Sequence, residues 1–168
     1  RIASHYYISC NSVAKYFQRL KKTCSKSDLF QIFSESEEFK YVSVKQEELI
    51  ELKTLYDKSP IPVSVPLEEP SSKINLLLQA YISKIKLDGF ALNADMIFVT
   101  QNAGRLLSAM KEICLVFGWS TTTKYLLELT KSVHYQMWPV CTPLRHFKTC
   151  PKDVIRRAET SSFPWQNY

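Results

Sequence analysis

Along residues 96–117, MIFVTQNAGRLLSAMKEICLVF, apolar side chains recur at Met96, Val99, Ala103, Leu106, Met110, Ile113 and Phe117. Steps of three and four alternate strictly. This predicts a helix of about six turns, roughly 33 Å long, with one continuous apolar stripe. The opposite side carries Gln101, Arg105, Ser108 and Glu112, again spaced four, three and four. Such a helix is either a bundle member or a surface along which something slides.

The rest of the chain reads as shorter helices. Ser12 is a candidate cap for a helix through Val13, Tyr16, Phe17 and Leu20, ending near Thr23. A second starts after Ser27, with Asp28 in its first turn and Leu29, Phe30, Ile32 and Phe33 as its apolar residues. SESEEFKYVSV is a connection with a brief extended piece at 39–44. A third helix spans about 45–57, with Leu49, Leu52 and Tyr56 on one side. SPIPVSVPLEEP holds four prolines, which forbids a helix and disfavours a central strand, so an ordered extended crossing is expected. Ser71 or Ser72 then opens a helix with Ile74, Leu77, Leu78, Tyr81 and Ile85 buried, broken at Asp88 and Gly89. The long helix follows and Gly118 ends it, where a left-handed residue is needed. Thr121 to Met137 forms a helix through Leu126, Leu129 and Val133, stopped by Pro139. A short turn around Leu144 and a helix from Pro151 to about Glu159 complete an all-α bundle of seven to eight helices around the long helix.

Composition narrows the chemistry. Three glycines in 168 residues favour helices with short polar connections. Gly89, Gly104 and Gly118 lie too far apart for a phosphate-binding loop. Net charge is +6, compatible with nucleic acid but not specific to it. Cys10, Cys24, Cys114, Cys141 and Cys150 are odd in number and lack CxxC spacing, which fits free thiols in a reducing compartment rather than zinc. Arg105, Lys111 and Glu112 interrupt the best apolar run, so no membrane span is expected. The chain reads as a piece of something larger.

His134 reads as structural, and His5 and His146 lack spaced partners for a triad or metal set. Glu35, Glu37 and Glu38 read as a solvated turn. A self-sufficient enzyme is not expected. Arg145, His146 and Lys148 near Trp138, with Lys152, Arg156 and Arg157, are either a backbone-tracking basic patch or solvated charges around a core. Gln101, Asn102, Arg105 and Ser108 on the long helix can meet bases and phosphates, or simply face water or another domain.

SSKINLLLQAYISKIKLDGFALNADMIFVTQNAGRLLSAMKEICLVFGW, followed by MWPVCTPLRHF, resembles the Sec63 homology unit of the spliceosomal U5 helicase family, large Ski2-like DExH-box RNA helicases. RIASHYYI, EFKYVSVKQEEL, SPIPV and FPW extend the likeness over essentially the whole chain. The unit attached to the first, catalytically active cassette is the most similar.

The resemblance implies a motor of two RecA-like domains and a winged helix ahead of this unit, with ATP and magnesium belonging to that motor and no cofactor in this part. It implies residues 1–8 as the joint to the winged helix, 9–58 as an N-terminal helical layer and 59–70 as the crossing. Residues 71–160 become the bundle core with the long helix at 92–117, and 161–168 the start of a following module. The long helix corresponds to a ratchet helix across the RNA channel. Carried over, the motif places Thr100, Gln101, Asn102, Arg105 and Ser108 at or beside single-stranded small nuclear RNA. Asn102 stands where the family usually carries Ser, and the resemblance implies that its larger amide shifts one contact. Implied partners are that RNA, the motor and winged-helix domains, and other spliceosomal proteins, in the nucleus and without a membrane. The competing expectation is a protein-interaction module whose polar arc meets the motor instead of RNA.

Overall fold

The computed structural model describes residues 1–138 and the helix at 152–160. The described residues form eight α-helices and no strand: α1 (Ile2–Tyr6), α2 (Cys10–Arg19), α3 (Lys26–Ser34), α4 (Leu49–Lys58), α5 (Pro70–Ile82), α6 (Phe90–Val116), α7 (Ser120–Tyr135) and α8 (Lys152–Thr160). The all-α expectation holds. Pro139, the turn at Leu144, Pro151, the cluster Arg145, His146 and Lys148, and Cys141 and Cys150 lie outside the described residues.

Several helix starts differ from the sequence reading, each for a local reason. Ser9, not Ser12, caps α2, accepting from the Asn11 N–H at 3.2 Å. Ser12 is fully buried; its hydroxyl donates to Glu38 and accepts from the Glu37 N–H. Glu38 also accepts from the Ser9 N–H at 2.6 Å, and Glu35 pairs with Arg19 at 2.6 Å. The acidic run therefore ties α2 to the connection after α3 and is not a merely solvated turn. α3 begins earlier than expected because Ser25 and Asp28 form a reciprocal capping box. Those bonds from Ser25 hold the Asp28 carboxyl below its usual range.

The connection at 37–48 carries a 3-10 turn on either side of the piece expected to be extended, and no strand forms between them. α4 then buries Leu52 and Leu55, while Tyr56 is exposed, so the inward face is rotated from the one expected. The crossing at 59–69 forms neither helix nor strand, closes with a turn from Pro66 to Glu69 and is tied down. Gln79 donates to and accepts from the Ile61 backbone at 3.1 Å each way, Ser27 donates to the Pro62 carbonyl and Ser72 to the Val65 carbonyl. α5 starts at Pro70, whose missing N–H costs nothing in a first turn.

α5 is the enclosed pillar. It packs against α3, α4, α6 and α7, and every residue from Ser72 to Ala80 is buried. Such enclosure hides the helical period, since α5 has no polar outer face. Its polar residues are instead satisfied internally: Gln79 also bonds Asn75, and Lys73 makes three contacts. The Lys73 ammonium lies 2.8 Å from Glu48, 2.6 Å from Asp95 of α6 and 2.9 Å from the Ser43 carbonyl. Burial pushes the Glu48 carboxyl upward, but bonds from Lys73 and the Lys45 N–H outweigh it, leaving Glu48 below the usual range.

α6 packs against α7, α5, α1 and α2. Val99, Ala103, Leu106, Met110 and Ile113 are fully buried, as the stripe predicts; Met96 is half-buried and Phe117 is 48% exposed. Leu107, Ala109 and Cys114 are buried too, because flanking helices widen the contact beyond one stripe. α6 ends with Gly118 at φ 69°, Gly118 N–H bonding Leu115 and Trp119 N–H bonding Cys114, which satisfies two end carbonyls. α1, α5 and α7 end through Tyr7, Lys84 and Gln136 in the same left-handed region, without glycine.

Candidate nucleic-acid interface

Helical geometry puts Phe90, Ala94, Ile97, Gln101, Gly104, Ser108 and Leu115 on one line along α6, again by steps of three and four with one longer step. The line is largely uncovered. Phe90 is 90% exposed, Ile97 55% and Leu115 59%; Ala94, Gln101 and Gly104 are exposed, and Ser108 is half-buried. The outer side expected to be polar is therefore polar only in its middle, with apolar groups toward both ends. A Cβ added at Gly104 would meet nothing within 4 Å, so the space outside it is open.

The five predicted residues do not form one uniform surface. Gln101 points to solvent as an exposed side chain. Thr100 is half-buried and its hydroxyl donates to the Ile97 carbonyl at 2.9 Å. Asn102 is only 7% exposed; its amide nitrogen donates to the Phe98 carbonyl at 2.9 Å and its oxygen accepts from Arg105. Arg105 is exposed, yet its other terminal nitrogen donates to the Tyr7 carbonyl at 3.3 Å. Two turns on, Glu112 bonds the Tyr6 hydroxyl, raising the Tyr6 pKa through that bond first and burial second. Helix α1 thus lies along the Arg105–Glu112 edge of the arc, which the sequence reading had left open.

Sequence reasoning also missed aromatic groups beside the arc. Tyr41 is 87% exposed and Phe98 is 41% exposed. Both line a cleft of about 390 Å³ between the 41–45 connection and the first half of α6, with Lys73 and Asp95 among its walls. Lys40 sits 5.0 Å above the Tyr41 ring. Phe90, Ile97 and Gln101 were readable from the same spacing that revealed the buried stripe; Tyr41 gave no periodic signal. His134, expected to be structural, is exposed. Trp138 does pack on the core, near Phe30, and its ring N–H donates to Ser83 at 2.7 Å.

A family model described as the Sec63 Brl domain matches residues 1–165. The chain belongs to the Sec63 Brl family. It is 50% identical over 166 residues to the human U5 small nuclear ribonucleoprotein 200 kDa helicase, covering 99% of this chain. It is 48% identical over its whole length to the pre-mRNA-splicing factor brr2 of Schizosaccharomyces pombe. It is 49% identical, also over its whole length, to the DExH-box ATP-dependent RNA helicase DExH13 of Arabidopsis thaliana. The chain spans about 8% of the length of each of these relatives.

Among the described residues, no group of three or more His, Cys, Asp or Glu is placed to hold a metal. The glycines stand apart, and a Cβ at Gly89 would lie 2.9 Å from the Glu51 carboxylate, so that turn is shaped around a side chain of the protein itself. Glu51 accepts from the Asp88 and Gly89 N–H groups, occupying the donors an anion would use. No described helix is long and apolar enough to cross a membrane.

Proposed function

We propose that this Sec63 domain is a non-catalytic part of an ATP-dependent spliceosomal RNA helicase, lining its single-stranded RNA channel during unwinding of small nuclear RNA duplexes. The reading rests chiefly on the uncovered line of α6. Phe90, Tyr41 and Phe98 offer stacking surfaces, Ile97 an apolar contact, and Gln101 and Arg105 donors to bases and phosphates. Such contacts are weak and tolerant of sequence, which suits a strand that must pass. Gln101 and Arg105 are the direct contacts in this reading. Thr100, Asn102 and Ser108 lie beside them, Thr100 and Asn102 with side chains bonded to their own helix. The motor and winged-helix domains of the parent chain would deliver the strand, other spliceosomal proteins would surround it, and the setting is the nucleus, as befits a relative named a splicing factor.

A salt titration in the full-length parent tests this. Arg105→Gln should reduce the slope of log affinity against log salt by about 0.7, the value for one phosphate contact on a single strand, and should slow unwinding. An unchanged slope with unchanged unwinding would remove Arg105 from the channel.

One observation favours a second reading. Phe17, Leu115, Val116 and Phe117 are all substantially exposed, with Phe17 edge-on to Phe117 at 5.8 Å, forming an apolar patch at the far end of α6. That end suits a neighbouring domain of the parent chain rather than RNA. If the whole arc served that purpose, RNA affinity would show the same salt slope with and without Arg105.

A further inference from the structure

The Asn102 amide has a fixed orientation. Its nitrogen must face the Phe98 carbonyl and its oxygen must face the Arg105 guanidinium; a flipped amide would set acceptor against acceptor and donor against donor. With the residue 7% exposed, it has little room to turn. Arg105 is thereby caught between two acceptors on different elements, the Asn102 oxygen on α6 and the Tyr7 carbonyl at the end of α1. The rest of its planar fork stays exposed. A surface arginine would ordinarily sample many rotamers; this one is held in one arrangement before any ligand arrives.

We propose that Asn102 is the positioning residue for Arg105, and that the Asn102–Arg105–Tyr7 relay sets the grip on single-stranded RNA. The proposal rests on the channel reading of Arg105. Asn102 need not touch RNA at all: its effect is to hold the guanidinium ready, so that binding does not first have to order it. Because Tyr7 caps the C-terminal end of α1, the relay also ties the start of this chain to the strand-facing arc.

The experiment measures binding of fluorescein-labelled single-stranded oligouridylate to the full-length parent across a salt series, with folding followed by thermal melting. Asn102→Leu should weaken binding about three- to tenfold with an unchanged salt slope, since the phosphate contact survives but is no longer prepared. Asn102→Asp should lower the slope as Arg105→Gln does, because a carboxylate engages the guanidinium's charge. Asn102→Leu added to Arg105→Gln should weaken binding no further than Arg105→Gln alone. A full Asn102→Leu penalty persisting in the Arg105→Gln background would overturn the proposal, since Asn102 would then act through the helix. No effect of Asn102→Leu beside a clear Arg105→Gln effect would overturn it too, leaving the channel reading standing. An Arg105→Gln variant with an unaltered slope would instead remove Arg105 from the channel, and with it the reading on which this proposal rests. Should Asn102→Leu fail to fold, Asn102→Asp decides: an unchanged slope overturns the proposal.

Discussion

Lys73→Met is expected to destabilise the bundle by about 3–5 kcal/mol at neutral pH, read by chemical denaturation. Methionine approximates the lysine stem in length and fills the same space, so the loss comes from charge and hydrogen bonding rather than from a cavity. Glu48, 6% exposed and with one carboxylate oxygen already unpartnered, would be left buried without a counter-charge. The Ser43 carbonyl would lose its donor, and Asp95 its link to α5.

The pH dependence gives that prediction a second edge. In the native chain the Glu48 pKa is lowered, so its pairing stabilises the fold above the ordinary carboxylate range. This contribution is lost as pH falls through the depressed value. In Lys73→Met, burial acts on Glu48 without an ammonium beside it, so its pKa lies above the unfolded value and acid favours the fold. The gap between the two proteins should therefore narrow as pH drops from about 6 toward 4. A gap independent of pH would mean that the loss does not run through the Glu48 carboxylate.

Gly104 separates folding from function. A Cβ there meets nothing, and glycine inside a helix is less favourable than alanine by about 1 kcal/mol, so Gly104→Ala should stabilise the chain by roughly that amount. Gly104→Glu should fold with little change, since the side chain enters open space. Under the channel reading, its charge beside the passing phosphates should cut single-strand affinity about tenfold at low salt, with the deficit shrinking as salt is added. A folded Gly104→Glu protein with wild-type RNA affinity would place the strand elsewhere.

The long helix was legible because fully buried positions recur by threes and fours from Val99 to Ile113, a pattern that survives although flanking helices also bury Leu107, Ala109 and Cys114. α4 was read one step out of phase because Leu49, Leu52 and Tyr56 fit the helical period as well as the buried pair Leu52 and Leu55 does. The enclosure of α5 could not be inferred from Lys73, Asn75 and Gln79, whose partners come largely from other elements and are invisible to local spacing. Within the candidate interface, Gln101 and Arg105 were found by their place on the outer side. That Arg105 is bonded to α1, and that Asn102 faces inward, depend on tertiary packing which no periodicity reports. The exposed apolar groups Ile97 and Phe90 were a matter of extending the same spacing backwards, whereas Tyr41 lies on a connection that has no period.

The enclosure of α5 sets a hierarchy of opening events. Amide protons in its middle, from Leu76 to Ala80, are shielded on all sides and can exchange with solvent only when the whole bundle unfolds. α1 is five residues long and has no fully buried side chain, so its amides exchange through a local, low-energy release. The bond from Arg105 to Tyr7 therefore holds only while α1 is docked, so release of α1 would free that side of the guanidinium while the Asn102 bond on α6 and the pillar behind it stay in place.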